Sequence, residues 1–202
     1  DGSLITTAGT MDVMGRRTTS RHARYRIGSL TQQLVAVAVM RAFEQGRLGQ
    51  DDRVGELWSA YNGPVREVTV RQLLSHTAGL PNVLDMHEWT ARKHEPMSTE
   101  QLVAFFEGEP LRFEPGTRFE PSNSNYILLG ALLEQVHGEP LATVLEREVF
   151  EPAGMVESTL GEPTLLGSRS DLAEGKEFDE DEVLSHATPV SLSALAGAGG
   201  VV

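Results

Sequence analysis

Residues 34–40 read Leu-Val-Ala-Val-Ala-Val-Met, with no polar position among them. This run predicts a helix over residues 30–44, apolar nearly all round and therefore buried. Gly46 suits its left-handed C-terminal cap. A second helical pattern covers residues 124–137, where Tyr126, Ile127, Leu128, Ala131, Leu132 and Val136 are apolar and Gly138 follows as a stop. Thr69 reads as an N-cap for residues 70–75, with Gly79 and Pro81 ending the segment. Ser98 and Gln101 have capping-box spacing ahead of Leu102, Val103, Phe105 and Phe106. Residues 141–150 predict a further helix. Residues 3–10 and 25–28 predict short strands, separated by a basic stretch through Arg16, Arg17, Arg21 and Arg24. Residues 50–58 read as a polar connection, and 109–121, with Pro110, Pro115, Gly116 and Pro121, as a loop. Residues 174–182 form an acidic solvated segment, and 194–202, small and apolar, read as the entry to a strand. No internal repeat is present.

This order divides the chain into three parts. Residues 1–60 carry strands and the apolar helix, 61–190 are mostly helical, and 191–202 return to a sheet. Two or three strands are too few to cover one very apolar helix. The expectation is that further strands come from a downstream segment or a second chain. A parent cut after Gly199 and Gly200, with both pieces remaining together, would satisfy it, and native mass spectrometry would reveal the second fragment.

Composition narrows the function classes. The 202 residues include 40% hydrophobic and 23% charged positions, which suits a packed domain rather than a disordered one. A net charge of -12 argues against nucleic acid and against an anionic membrane surface as main partner. No stretch approaches the roughly 20 apolar residues of a membrane span. Cysteine is absent, so disulfides and thiolate metal sites are excluded and the compartment stays undetermined. His87, Glu88, His94 and Glu95 lack metal-ligand spacing, so no metal or cofactor is expected.

The candidate chemistry centres on Ser29, at the head of the apolar helix, where the partial positive charge of a helix N-terminus favours a developing anion. Gln32 follows one turn later on the same face. That is the place for a base, and an amide is not one. The chain has only two lysines, Lys93 and Lys176, neither near Ser29 in sequence. Tyr25 precedes the turn and is expected to pack or face solvent; His22 reads as a surface histidine and His76 as a structural one.

Four stretches carry a family resemblance: Tyr25-Arg26-Ile27-Gly28-Ser29; Val68-Thr69-Val70-Arg71-Gln72-Leu73-Leu74-Ser75-His76-Thr77-Ala78-Gly79-Leu80-Pro81; Pro115-Gly116-Thr117-Arg118-Phe119 with Ser122, Asn123 and residues 126–130; and Ala198-Gly199-Gly200. In this order they resemble the serine beta-lactamase and penicillin-binding-protein superfamily, in its class C beta-lactamase, D-amino-acid peptidase and esterase branch. The resemblance implies an α+β fold in two parts, an antiparallel sheet flanked by helices and an inserted all-helical region, with the active site between them. It also implies that the motif serine attacks a carbonyl and is acylated, while a lysine and a tyrosine shuttle its proton.

The chain departs from that pattern at the lysine, which is Gln32, at the tyrosine of Y-x-N, which is Pro121, and in lacking the K/H-x-G strand; Asn123 keeps the asparagine position. Two separate replacements favour natural divergence. Loss of a positioned base typically costs about 100- to 10,000-fold in rate. Three readings follow. One is a diverged hydrolase or acyltransferase using Ser29 on a small ester, thioester or amide with non-standard proton handling, and not an efficient beta-lactamase. Another is an inactive pseudoenzyme binding a small acyl or peptide-like ligand or a protein partner. The last is different chemistry in the same cleft. Gln32, Ser122 and Asn123 are the expected ligand contacts, although Asn123 could instead cap the following helix and Ser29 could be a retained helix cap.

Overall fold

The computed structural model describes residues 4–161, 172–178, 184–187, 191 and 196–202. Its α-helices are α1 Thr31–Glu44, α2 Val54–Leu57, α3 Val70–Leu74, α4 His87–Arg92, α5 Thr99–Ala104, α6 Asn123–His137, α7 Leu141–Leu145 and α8 Ala196–Gly199. Short 3-10 turns precede α1 at Gly28–Leu30 and α3 at Pro64–Glu67, and a π turn, Glu146–Phe150, extends α7.

α6 is the axis of the molecule. Residues 124–133 are all buried, and α1, α3, α5, α7 and α8 pack around them. The helix is apolar enough to be enclosed on every side, which is why its pattern reads so clearly in the sequence. It starts at Ser122, extended at φ −143, and stops at Gly138, whose φ of 68 closes the last turn. The capping boxes at Thr69 with Gln72 and at Ser98 with Gln101 form as the sequence predicts, each side chain accepting the backbone N–H three residues on. Gly46, at φ 66, turns the chain away from α1. Among the described residues no helix is long and apolar enough to cross a membrane.

The strand expectations need correction. Residues 4–9 and 25–27 form no strand; pairing there reduces to isolated bridges, Thr10 with Thr18 and Arg24 with Leu172. A strand exists only where a neighbour completes its ladder, and Leu4 and Ile5 are exposed with none beside them. The only paired strands among the described residues are β1 Lys176–Phe178 and β2 Leu184–His186, antiparallel, inside the acidic stretch and the region expected to be helical. Residues 179–183 lie outside the described set. The expected strand entry at the C-terminal end is instead α8, followed by a single bridge between Val201 and Leu160. Gly197 lies so close to α6 that an added Cβ would collide with the Tyr126 carbonyl oxygen, so a compact helical turn of small residues fits where a strand with side chains would not. The connection at residues 50–58 contains α2.

α1 also differs from expectation. Val35, Ala38, Val39 and Ala42 are buried against α6, but Leu30, Val37 and Met40 are 63%, 41% and 53% exposed. Spaced at 30, 37 and 40, they form an apolar stripe on the face turned away from the core.

Candidate functional site

Ser29 sits in the 3-10 turn that runs straight into α1. Two long-range contacts fix this turn. Ile27 N–H donates to the Val201 carbonyl at 3.2 Å, and Val201 N–H donates to the buried Thr31 hydroxyl at 3.1 Å. The end of α8 and the residues after it, which together carry the Ala198-Gly199-Gly200 motif, therefore run beside the turn that holds the candidate nucleophile. Ser29 itself is exposed, and its hydroxyl has no hydrogen-bond partner among the described residues. It does not cap α1.

Gln32, in the first turn of α1, reaches across to the start of α6. Its Nε2 donates to Asn123 Oδ1 at 3.0 Å. Asn123 in turn gives both its backbone N–H and its Nδ2 to Asn82 Oδ1, at 3.1 and 3.0 Å. The three amides form one chain, with Asn123 held at both ends of its side chain. Neither of these side-chain bonds caps α6, so Asn123 links the two helices instead. The sequence reading missed Asn82. Its signal was the Pro81-Asn82 pair at the end of the turn, where asparagine commonly bonds nearby backbone.

Ser122 is buried, at 3% exposure, and its hydroxyl donates to the Pro81 carbonyl at 3.1 Å. Ser124 donates to the same carbonyl at 2.6 Å and accepts Val83 N–H at 2.9 Å. These bonds seat the turn carrying Asn82 on the α6 N-terminus. The turn is braced from the other side by Arg112 N–H on the Gly79 carbonyl at 2.8 Å. Gly79 has φ 82, and a Cβ there would stand 2.5 Å from the Phe113 carbonyl oxygen, so only glycine fits.

His76 is half-buried beneath this turn. Its Nδ1 faces Ser122 N–H at 3.3 Å and Asn125 Nδ2 at 3.0 Å, and its ring packs against Tyr126 and Phe119. Burial lowers its pKa below the ordinary histidine value. The Tyr126 phenol donates to the Leu74 carbonyl at 3.1 Å, and burial raises its pKa. Pro121 is exposed at the mouth of α6, and the only other candidate histidine on the N-terminal side, His22, lies at the surface within 3.5 Å of Glu157. Tyr25 is exposed. A concavity of about 560 Å3 lined by Met97, Glu134, Leu141 and Leu160 includes none of these residues.

Chemically, the arrangement presents a hydroxyl at a helix N-terminus next to a bridge of neutral amides. Amides orient and donate, but none accepts a proton at neutral pH.

The family described as Beta-lactamase matches this chain over residues 1–202. Penicillin-binding protein 4* of Bacillus subtilis (strain 168) is 28% identical over 165 residues, which are 81% of this chain and 36% of that protein. The penicillin-binding protein of Bacillus halodurans superposes with a TM-score of 0.85 at 28% identity, over 100% of this chain and 62% of that one. EstCE1, a hydrolase with promiscuous acyltransferase activity, superposes with a TM-score of 0.81 at 25% identity, over 96% of this chain and 59% of that one. The chain thus spans about a third of that curated relative and under two thirds of those solved structures.

Proposed function

The chain belongs to the beta-lactamase family, and on that premise we propose that it carries a diverged acyl-transfer site, in which Ser29 accepts an acyl group from a small ester, thioester or amide and passes it to water or another acceptor. The observation that carries the reading is the position of Ser29. Its exposed hydroxyl leads into α1, and Gln32 joins that helix to Asn123. The helix terminus stabilises charge developing on the substrate carbonyl oxygen. Gln32 and Asn123 orient the ligand by hydrogen bonds. The serine proton leaves to solvent or to a group of the substrate, so turnover is slow and beta-lactams are not hydrolysed efficiently. The acyltransferase activity named for EstCE1 supports this choice of chemistry.

A second reading is a binding cleft without turnover, or with a different reaction, and the same amide chain favours the former. A fluorophosphonate separates the two. On the acyl-transfer reading, intact-protein mass spectrometry shows one adduct, tandem spectra place it on Ser29, and Ser29→Ala abolishes it. A protein that stays unlabelled at millimolar probe while a small acyl ligand raises its melting temperature without being consumed is a binding protein instead.

The exposed stripe Leu30, Val37 and Met40 supports a further part of the proposal: a strand layer from outside residues 1–202 covers α1 and completes the sheet of the α+β fold. The division into parts at residues 60 and 190 belongs to the same proposal. A native mass spectrum of the purified protein would show the companion polypeptide, and a lone, cooperatively folded 22.0 kDa species would rule it out.

A further inference from the structure

We propose that His76 and Asn125 form a protonation switch that positions the Ser122–Asn123 turn against Gln32. The proposal deepens the acyl-transfer reading, and its functional meaning rests on that reading, although the switch itself is a matter of hydrogen-bond geometry.

His76 Nδ1 has two donors aimed at it. One, Ser122 N–H at 3.3 Å, is backbone and can only donate. Nδ1 must therefore be the unprotonated nitrogen, with the hydrogen on Nε2. The other donor, Asn125 Nδ2 at 3.0 Å, belongs to a side chain that is 1% exposed. Its other atom, Oδ1, is buried without a hydrogen-bond partner. A buried acceptor left unsatisfied is costly, so a second state that gives Oδ1 a donor is favoured.

That second state follows from the chemistry. When His76 takes a proton at Nδ1, it carries an N–H that faces two donors. Half a turn of the Asn125 amide places Oδ1 opposite Nδ1–H, so Oδ1 gains a donor while Nδ2 gives up its bond to the ring. Ser122 N–H then has no acceptor. The turn that begins α6, and with it the Asn123 amide bonded to Gln32 and Asn82, loses one of its anchors. His76 stands at φ 55, a left-handed conformation that is uncommon outside glycine, so its ring is aimed at Ser122 by a backbone held under constraint.

Among the groups around the ring, His76 is the one whose ordinary pKa value lies nearest neutral pH. From α6, the Tyr126 phenol has its pKa raised by burial and stays neutral. From the loop before α6, Glu120 N–H bonds the His76 carbonyl, and its carboxylate pairs with Arg112 and Arg118. From α3, Arg71 pairs with Asp51. Burial holds the His76 pKa below 6.5, its ordinary value. The folded state therefore binds this proton less readily than the unfolded chain. The contribution to stability is complete above the ordinary value and is lost as pH falls through the lowered one.

The test is an NMR titration of the full chain with 15N-labelled histidine and amides. At neutral pH, His76 should show the Nε2–H tautomer. On acidification, the Ser122 backbone amide and the Gln32 side-chain amide should shift together, with the His76 midpoint. Asn is the replacement that places an amide oxygen near the position of Nδ1 and tolerates positive φ. His76→Asn should keep the neutral-pH positions of both signals and remove their shift. A Gln32 amide that stays fixed through the His76 titration, or a His76→Asn protein that keeps the same pH-dependent shift, overturns the proposal. The wild-type titration decides the matter even if the variant does not fold. Labelling of Ser29 plays no part in the readout, so failure of the switch and failure of the acyl-transfer reading are told apart.

Discussion

Replacing Gln32 with lysine should raise the rate at which a fluorophosphonate labels Ser29 by about 100-fold or more, the usual contribution of a positioned base. The first turn of α1 is already built for the change. Gln32 Nε2 donates to Asn123 Oδ1 at 3.0 Å, and a lysine ammonium supplies the same kind of donor to the same acceptor. Placed at the helix N-terminus, an ammonium is disfavoured by the partial positive charge there, which lowers its pKa toward the range of a useful base. Adding Pro121→Tyr should not multiply the gain by an independent factor, because groups that move one proton act as a unit. Labelling followed by intact mass gives the rate directly. A folded Gln32→Lys protein labelled no faster than the wild type would mean that the missing base is not what limits Ser29.

The largest loss of stability is expected at α6. Leu128 is 0% exposed at the middle of the helix that α1, α3, α5, α7 and α8 pack against. Leu128→Ala removes three carbons and leaves a space that close-packed neighbours cannot fill, at a cost of about 2–5 kcal/mol. For a chain of this size each kcal/mol moves the melting temperature by about 2–4 °C. A fall of about 4–20 °C is therefore expected for Leu128→Ala. Val37→Ala removes two carbons from the exposed stripe of α1, and should stay within about 0.5 kcal/mol in the isolated chain. Equal losses at the two sites would contradict the assignment of α6 as core and of the α1 stripe as lying outside the core of residues 1–202.

These contrasts show what was legible in the amino-acid sequence. Features written in local chemistry were readable: the capping boxes at Thr69 and Ser98, the glycines after α1 and α6, and the enclosed pattern of α6. Each depends on residues within one or two turns of each other. The strands expected at residues 3–10 and 25–28 were not readable in this way, because pairing depends on a partner segment, and among the described residues only single bridges are found there. The apolar run of α1 predicted burial, but the run alone does not say which face meets α6. The family motifs located Ser29, Gln32 and Asn123, yet the bond between Gln32 and Asn123 spans 91 residues, and that from Asn123 to Asn82 spans 41. The hydroxyl of Ser122, expected at a ligand, is taken by Pro81. His76 reads as structural, and it does brace the turn that carries Asn123, through contacts to residues 46 and 49 positions away.

The central claim is that Ser29 is placed for attack without any group among the described residues to take its proton. The pH dependence of wild-type Ser29 labelling by a fluorophosphonate addresses this most directly, measured between about pH 7 and 9, above the range in which His76 titrates. Without a protein base, the rate should climb in proportion to hydroxide, tenfold per pH unit, with no plateau. A curve that levels off at a midpoint within that range would reveal a titrating partner at the Ser29 hydroxyl and would contradict the account.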